Sequence, residues 1–175
     1  MQLLSGKAAA AHISGILHPK YQLHGFSVHL TVRKISSINS TGQIDFGGGE
    51  YMAAERIELP THHLRSEDNY LWWELERGSY FVECNETLHL APDEIALIEP
   101  EDRLLRAGGS HVPLFVRGHV APVEILLEVG ALKLRVKENA RLARVRLFRF
   151  DIRKSIAKSS RKKDSRPAKR KQPKK

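Results

Sequence analysis

Nine histidines and one cysteine are the residues of this chain best suited to metal binding or nucleophilic attack, and their spacing argues against both. His24 and His29 stand five apart in a segment that alternates as a strand, which would send them to opposite faces, and His62 and His63 are neighbours in a polar loop. No spacing resembles that of zinc ligands, so the sequence predicts no metal site. Cys84 sits among apolar neighbours in a strand, where a thiol is buried and inert. A single cysteine also excludes an internal disulfide and fits a reducing compartment. Gly47-Gly48-Gly49 has the freedom to fold over a phosphate, but it lacks the lysine and helix start of a phosphate-binding loop and reads as a flexible turn.

The other chemistry is electrostatic. The formal net charge is +9 over 175 residues, and it is concentrated at one end. Residues 153–175 hold twelve Lys/Arg against one acid, Asp164, so they alone exceed the total and leave residues 1–152 slightly acidic. The densest runs are Arg161, Lys162 and Lys163, then Lys169, Arg170 and Lys171. Two prolines interrupt the segment and no large apolar residue follows Ile156, so it is expected to be disordered. It reads either as a solubilising appendage or as an arm for RNA, DNA or another polyanion. No aromatic residue is interleaved with its charges, which argues against base stacking or sequence readout by the tail.

Residues 1–152 must supply the fold, and their pattern is that of strands. Tyr80, Val82 and Cys84 alternate with Phe81 and Glu83, and turn signals at Asn85-Glu86 and Pro92-Asp93 separate this run from apolar runs around 88–90 and 95–97. Two tight turns between three short strands predict antiparallel neighbours. Further strands are expected over 22–35, 112–116, 123–129, 132–136 and 142–150, with 36–49 a loop or hairpin and 102–109 a helical or looped insertion. In the strand over 22–35, Phe26, Val28, Leu30 and Val32 should share the buried face. One helix is predicted over 6–17, capped by Ser5 and ended by His18-Pro19. The fold class is therefore mainly β, a distorted jelly-roll-like barrel with one short N-terminal helix and a basic tail. No apolar run approaches the roughly 20 residues that cross a bilayer, and the N-terminus lacks the pattern of a secretion signal. A cytoplasmic protein without membrane contact is expected.

Several short motifs, taken in order, resemble the dUTPase and dCTP deaminase superfamily, and especially its archaeal-type dUTPases. They are Gln22-x-x-Gly25 with Leu30-Thr31-Val32; residues 41–46, which read Thr-Gly-Gln-Ile-Asp-Phe; Leu75-Glu76-x-Gly78-x-Tyr80 with Asn85-Glu86; Leu104-Leu105-Arg106-x-Gly108; residues 126–129, Leu-Leu-Glu-Val; and residues 139–142, Asn-Ala-Arg-Leu. The resemblance spans residues 3–150. It implies a homotrimer of distorted β-barrels with nucleotide sites between subunits. It also implies either hydrolysis of dUTP to dUMP and pyrophosphate with Mg²⁺, or metal-free attack of water on C4 of dCTP.

The chain departs from that pattern where the substrate would be met. The phosphate-binding Arg-Ser-Ser is replaced by Glu101-Asp102-Arg103, which reverses the local charge. The loop that carries the water-activating Asp corresponds to Val116-Arg117-Gly118-His119, His29 stands where the first strand has Asp, and Arg144 replaces a common glutamine. Arg106 and Glu128 fall where the deaminase branch has its catalytic arginine and general-base glutamate, and Arg141 is placed to reach a phosphate. Partial burial would raise the Glu128 pKa toward a useful value; otherwise Glu128 faces solvent or pairs with Arg106 or Lys133. His111 or His119 could replace the lost base. Three functions remain open: a binding or scaffolding subunit that has lost hydrolysis and uses its basic arm, a working dUTP diphosphatase or dCTP deaminase with a rearranged site, and an accessory subunit in mixed trimers.

Overall fold

Alternation of buried and outward side chains builds the two longest strands, and their pairing is the spine of the molecule. The computed structural model describes residues 1–150; the basic segment predicted over 153–175 lies outside the described residues. In chain order the elements are β1 (Gln2–Leu3), α1 (Gly6–Ala9), a 3₁₀ turn (Ala10–His12), β2 (Ile13–Ser14), α2 (Pro19–Gln22), β3 (Leu23–His24), β4 (Ser27–Ile38) and β5 (Arg56–Glu58). There follow β6 (Trp72–Cys84), β7 (Thr87–His89), β8 (Glu94–Pro100), α3 (Asp102–Arg106), β9 (Gly109–Ser110), β10 (Leu114–Val116), β11 (His119–Val120), β12 (Glu124–Lys137) and β13 (Arg141–Arg149). β6 and β12 run antiparallel from Glu83 opposite Glu124 to Trp72 opposite Lys137.

They belong to a curled ten-stranded sheet ordered β10-β8-β13-β4-β6-β12-β9, with β1 on β13 and with β3 and β5 on β4. A second sheet, β11-β7-β2, packs Ile13, Leu88 and Val120 against the same core. Leu30, Val82, Ile98, Ile125, Leu127 and Leu147 are at most 1% exposed and fill its centre. The mainly β, jelly-roll-like class expected from the sequence is the class observed.

The differences are local and have physical causes. The strands expected over 123–129 and 132–136 are one strand, because the pairing shifts register between Val129 and Lys133. Buried residues fall at odd positions before that bulge (Ile125, Leu127, Val129) and at even ones after it (Leu134, Val136), so the period breaks while the strand continues. β6, β7 and β8 are not mutual neighbours, although the turns between them lie where expected. β7 crosses to the small sheet, where its fully buried Leu88 faces Ile13 and Val120, and β8 lies between β10 and β13.

The N-terminal helix is far shorter than residues 6–17. Ser5 caps it, accepting from the Ala8 amide at 3.3 Å, but Ile13 is drawn into pairing with Leu88. Gly15 then turns with φ +79°, and a Cβ there would stand 2.2 Å from the Asn85 carbonyl oxygen. Two further short helices, α2 and α3, accompany it. Phe26, expected inside, is exposed because the chain reverses there, with His24 paired to Ser27.

Glu86 was readable only as part of a turn, yet it is completely buried. Its Oε1 accepts from Gln22 Nε2 at 2.6 Å and from the Thr31 hydroxyl at 2.7 Å, and its Oε2 accepts from the Thr31 amide at 2.9 Å. Burial raises its pKa, partly opposed by the bonds from Thr31 and Gln22. The folded chain therefore keeps this proton to higher pH than the unfolded chain, and the stability contributed falls as pH rises from the ordinary Glu value through the raised one. Glu86→Ala should lower stability at pH 7 by about 3 kcal/mol, because three donors are left without acceptors. Urea denaturation measures this, and the advantage of the wild type over Glu86→Gln should shrink as pH is raised from 4.5.

Candidate functional site

The short helix α3 organises the residues that the sequence singled out. Glu101 precedes it, and the Glu101 carbonyl accepts from the amides of Leu104 at 3.0 Å and Leu105 at 3.2 Å. Past the helix, Gly108 has φ +85°, and a Cβ at Gly109 would meet Leu104 at 2.6 Å, so both glycines are required for α3 to lie against the bulge of β12.

One side of α3 meets a row of charges across three strands. His29 on β4 lies opposite Arg144 on β13, which lies opposite Glu99 on β8. His29 Nδ1 contacts the Glu101 carboxylate, and both side chains are nearly buried. The Glu101 side chain thus serves His29 instead of capping the helix. Arg144 Nη2 donates to exposed Asp102 at 3.3 Å, and its Nε is 3.6 Å from Glu99. Arg146 lies 2.7 Å from the same Glu99 oxygen. Three carboxylates, two guanidiniums and an imidazole therefore face one another, although Glu99 Oε2 and Arg144 Nε are buried without completing a hydrogen bond. His24 does not point away from His29 as the strand pattern predicted: β3 folds back on β4, and the two rings meet edge to face at 6.2 Å.

A second side of α3 holds Glu128. It faces solvent on β12 and accepts from the Ser79 hydroxyl at 2.8 Å, in a cleft also lined by Arg77, Leu105 and Ser110. Among the described residues Glu128 forms no ion pair with Arg106 or Lys133; Lys133 is engaged by Glu74 and Glu76. Arg106 is exposed at the end of α3. Of the alternatives for Glu128, exposure to solvent is the one found, because outward positions alternate with the buried Leu127 and Val129.

The third side brings Arg103 and Arg141 together in the wall of a cleft of about 550 Å³. Tyr70, Trp72 and Lys137 join them there, and the sequence reading missed all three.

The two candidate replacement bases are elsewhere. His119 lies on β11 opposite His89, with Nδ1 to Nδ1 at 3.2 Å, and His89 Nε2 is 2.9 Å from the Ser14 hydroxyl. His111 is buried; burial holds its pKa below the ordinary value, with weaker opposing bonds from the Val112 and Glu99 backbone. Cys84 is buried as expected, and burial pushes its thiol far up, with Glu86 and Glu83 adding to the effect. The tail residues Arg161, Lys162, Lys163, Lys169, Arg170 and Lys171 lie outside the described residues.

No protein-family model matches the chain. It is 26% identical over 129 residues to a probable deoxyuridine 5'-triphosphate nucleotidohydrolase of Methanosarcina acetivorans, covering 73% of this chain and 72% of that protein. A protein of the same name from Methanococcoides burtonii is 31% identical over 91 residues, which span 51% of this chain and 49% of that one. The fold is similar to that of a 2'-deoxycytidine 5'-triphosphate deaminase from Agrobacterium tumefaciens, with a TM-score of 0.61 and 17% identity over 83% of this chain and 47% of that one. In sequence the chain is thus similar to archaeal proteins named as probable dUTPases, and in fold to a dCTP deaminase.

His29 on β4 and Glu101 before α3 pair a base with an acid across two elements. His29→Asp alone sets two carboxylates together out of water and should cost about 3 kcal/mol, and Glu101→Arg alone should cost a similar amount. The double variant should recover at least about 1 kcal/mol of the summed loss, measured as a coupling energy in a denaturation cycle.

Proposed function

We propose that this chain is a nucleotide-binding or scaffolding subunit on a dUTPase-type fold, with hydrolysis lost or much reduced and the basic tail engaging a polyanion. The observation that carries the reading is the mutual engagement of Glu99, Glu101 and Asp102 with His29, Arg144 and Arg146. A triphosphate needs donors held free for its oxygens, and in this corner each cation already faces a carboxylate. Mg²⁺, which a working dUTPase would use, fits poorly for the same reason: the carboxylates there are committed to cations.

A homotrimer is part of the proposal. The excursion between β4 and β5 carries Ile44 and Phe46 almost fully exposed, with Tyr51 and Met52 at least half exposed. These side chains are suited to burial against a second copy.

One observation favours the alternative of an active dUTP diphosphatase or dCTP deaminase. Glu128 is an exposed carboxylate, oriented by Ser79, in a cleft that also contains Arg77. Purified protein with dUTP or dCTP and Mg²⁺ should release neither pyrophosphate nor ammonia above background. Turnover of about 1 s⁻¹ or faster that disappears in Glu128→Gln would establish the alternative. For the tail, deletion of residues 153–175 should abolish retention on heparin, and the retention of the full chain should weaken steeply with salt.

A further inference from the structure

We propose that His89 and His119, on the outer face of the small sheet, bind one divalent transition-metal ion through their Nδ1 atoms, with Ser14 holding His89 in the tautomer that binding needs. The fitting ions are those that favour imidazole, namely Zn²⁺, Cu²⁺ and Ni²⁺. The site lies on a different sheet from the strands that carry the charged corner and Glu128, and it does not depend on whether hydrolysis has been lost.

Strand register makes the pair. His89 on β7 stands opposite His119 on β11, and Leu88 opposite Val120. On the other side of β7, Ser14 on β2 stands opposite Thr87. Leu88 turns into the core, where it is fully buried and packed with Ile13 and Val120. Alternation then sends Ser14, Thr87, His89 and His119 together to the outer face. The Leu90 amide donates to the Gly118 carbonyl at 3.0 Å, which ties the two strands beside the imidazoles. The histidines are 30 positions apart in sequence, so no local spacing could reveal them.

Distance and direction suit a shared ion. The two Nδ1 atoms are 3.2 Å apart. Two nitrogens on a tetrahedral ion, each about 2.0–2.1 Å from it, are separated by about 3.3–3.4 Å. The ring centres lie 4.9 Å apart with the planes tilted by 34°. That is closer than a straight N–H···N bond of this length would set them, so the nitrogens do not face each other head on. Without an ion, one Nδ1 must carry a proton and donate it to the other; an ion replaces that single contact by two coordinate bonds.

Ser14 Oγ is 2.9 Å from His89 Nε2. A proton on Nε2 donated to that hydroxyl leaves the lone pair on Nδ1, and a partner on the outer nitrogen fixes the ring for its ligand. No third His, Cys, Asp or Glu completes a cluster among the described residues, so the remaining positions fall to water. All three side chains are exposed. Such openness suits an ion that keeps water ligands. It argues against the other chemistry of a Ser–His–His chain, acyl transfer at the serine, which needs a site shielded from water.

Binding is measured on the untagged full-length chain, by calorimetry with Zn²⁺ and Ni²⁺ and by electron paramagnetic resonance with Cu²⁺. One ion per chain should bind, and Mg²⁺, which prefers oxygen ligands, should not compete. The Cu²⁺ spectrum should show two imidazole nitrogens, falling to one in His119→Ala. His89→Ala and His119→Ala should each weaken Zn²⁺ binding at least about tenfold, and Ser14→Ala by a smaller factor. His62→Ala with His63→Ala should leave it unchanged. Circular dichroism of the metal-free variants separates loss of the site from loss of the fold. Unchanged affinity in the His89 and His119 variants would mean an adventitious ion only and would overturn the proposal, as would no binding at millimolar Zn²⁺. Covalent modification of Ser14 by a fluorophosphonate would overturn it too, since that reaction needs Nε2 as a base and not as a donor.

Discussion

A carboxylate sealed from water fixes how the parts of this fold meet. Glu86 accepts from Gln22 on α2 and from both the amide and the hydroxyl of Thr31 on β4. The same Thr31 hydroxyl receives Asn85 Nδ2 at 3.0 Å, and that amide group also reaches the Val32 carbonyl and the Asn139 side chain in the β12–β13 turn. A buried acceptor set of this kind is stable only when complete, since each missing donor costs about 1–3 kcal/mol. Gln22 also donates to the His29 carbonyl at 3.0 Å. The network therefore places His29 for Glu101, Glu101 sets the start of α3, and Asn139 sets the turn that carries Lys137 and Arg141 to the cleft.

The corner at Glu101 shows how charge is accommodated in a nearly buried position. A carboxylate left there without a partner would be an uncompensated charge, at a cost of about 3–5 kcal/mol. Glu101 instead faces His29, so the contact between β4 and the residue before α3 joins an acid to a base. Asp102 and Glu99 face Arg144 and Arg146 in turn. Packing at this corner thus depends on charges supplied by three neighbouring strands, β4, β13 and β8.

The β class, most turns and the helical insertion at α3 were legible because each rests on local pattern. What could not be read depends on partners distant in sequence. Glu86 looked like an exposed turn residue because its donors lie 55 and 64 positions away. β12 looked like two strands because a bulge reverses which residues face inward. The helix over 6–17 had good propensity, yet Ile13 gained more by pairing with Leu88 than by continuing a helix. Of the site, the residues around α3 were found by motif, whereas Tyr70, Trp72 and Lys137 belong to no motif and meet only through the pairing of β6 with β12.

The near-neutral charge of residues 1–152 comes largely from pairing, and the leftover charges of both signs are spread over the surface. Asp45, Glu50, Glu55, Glu67 and Asp68 have no cation partner among the described residues, and all fall within 39–68, the chain around β5. Of the described cations without a carboxylate within 4 Å, Arg103, Lys137 and Arg141 share one cleft, whereas Lys7, Lys20, Arg65, Arg77, Arg106 and Arg117 lie elsewhere. Pairing is therefore a local matter, and short-range fields of either sign persist side by side on one surface, screened over about 8 Å in physiological salt.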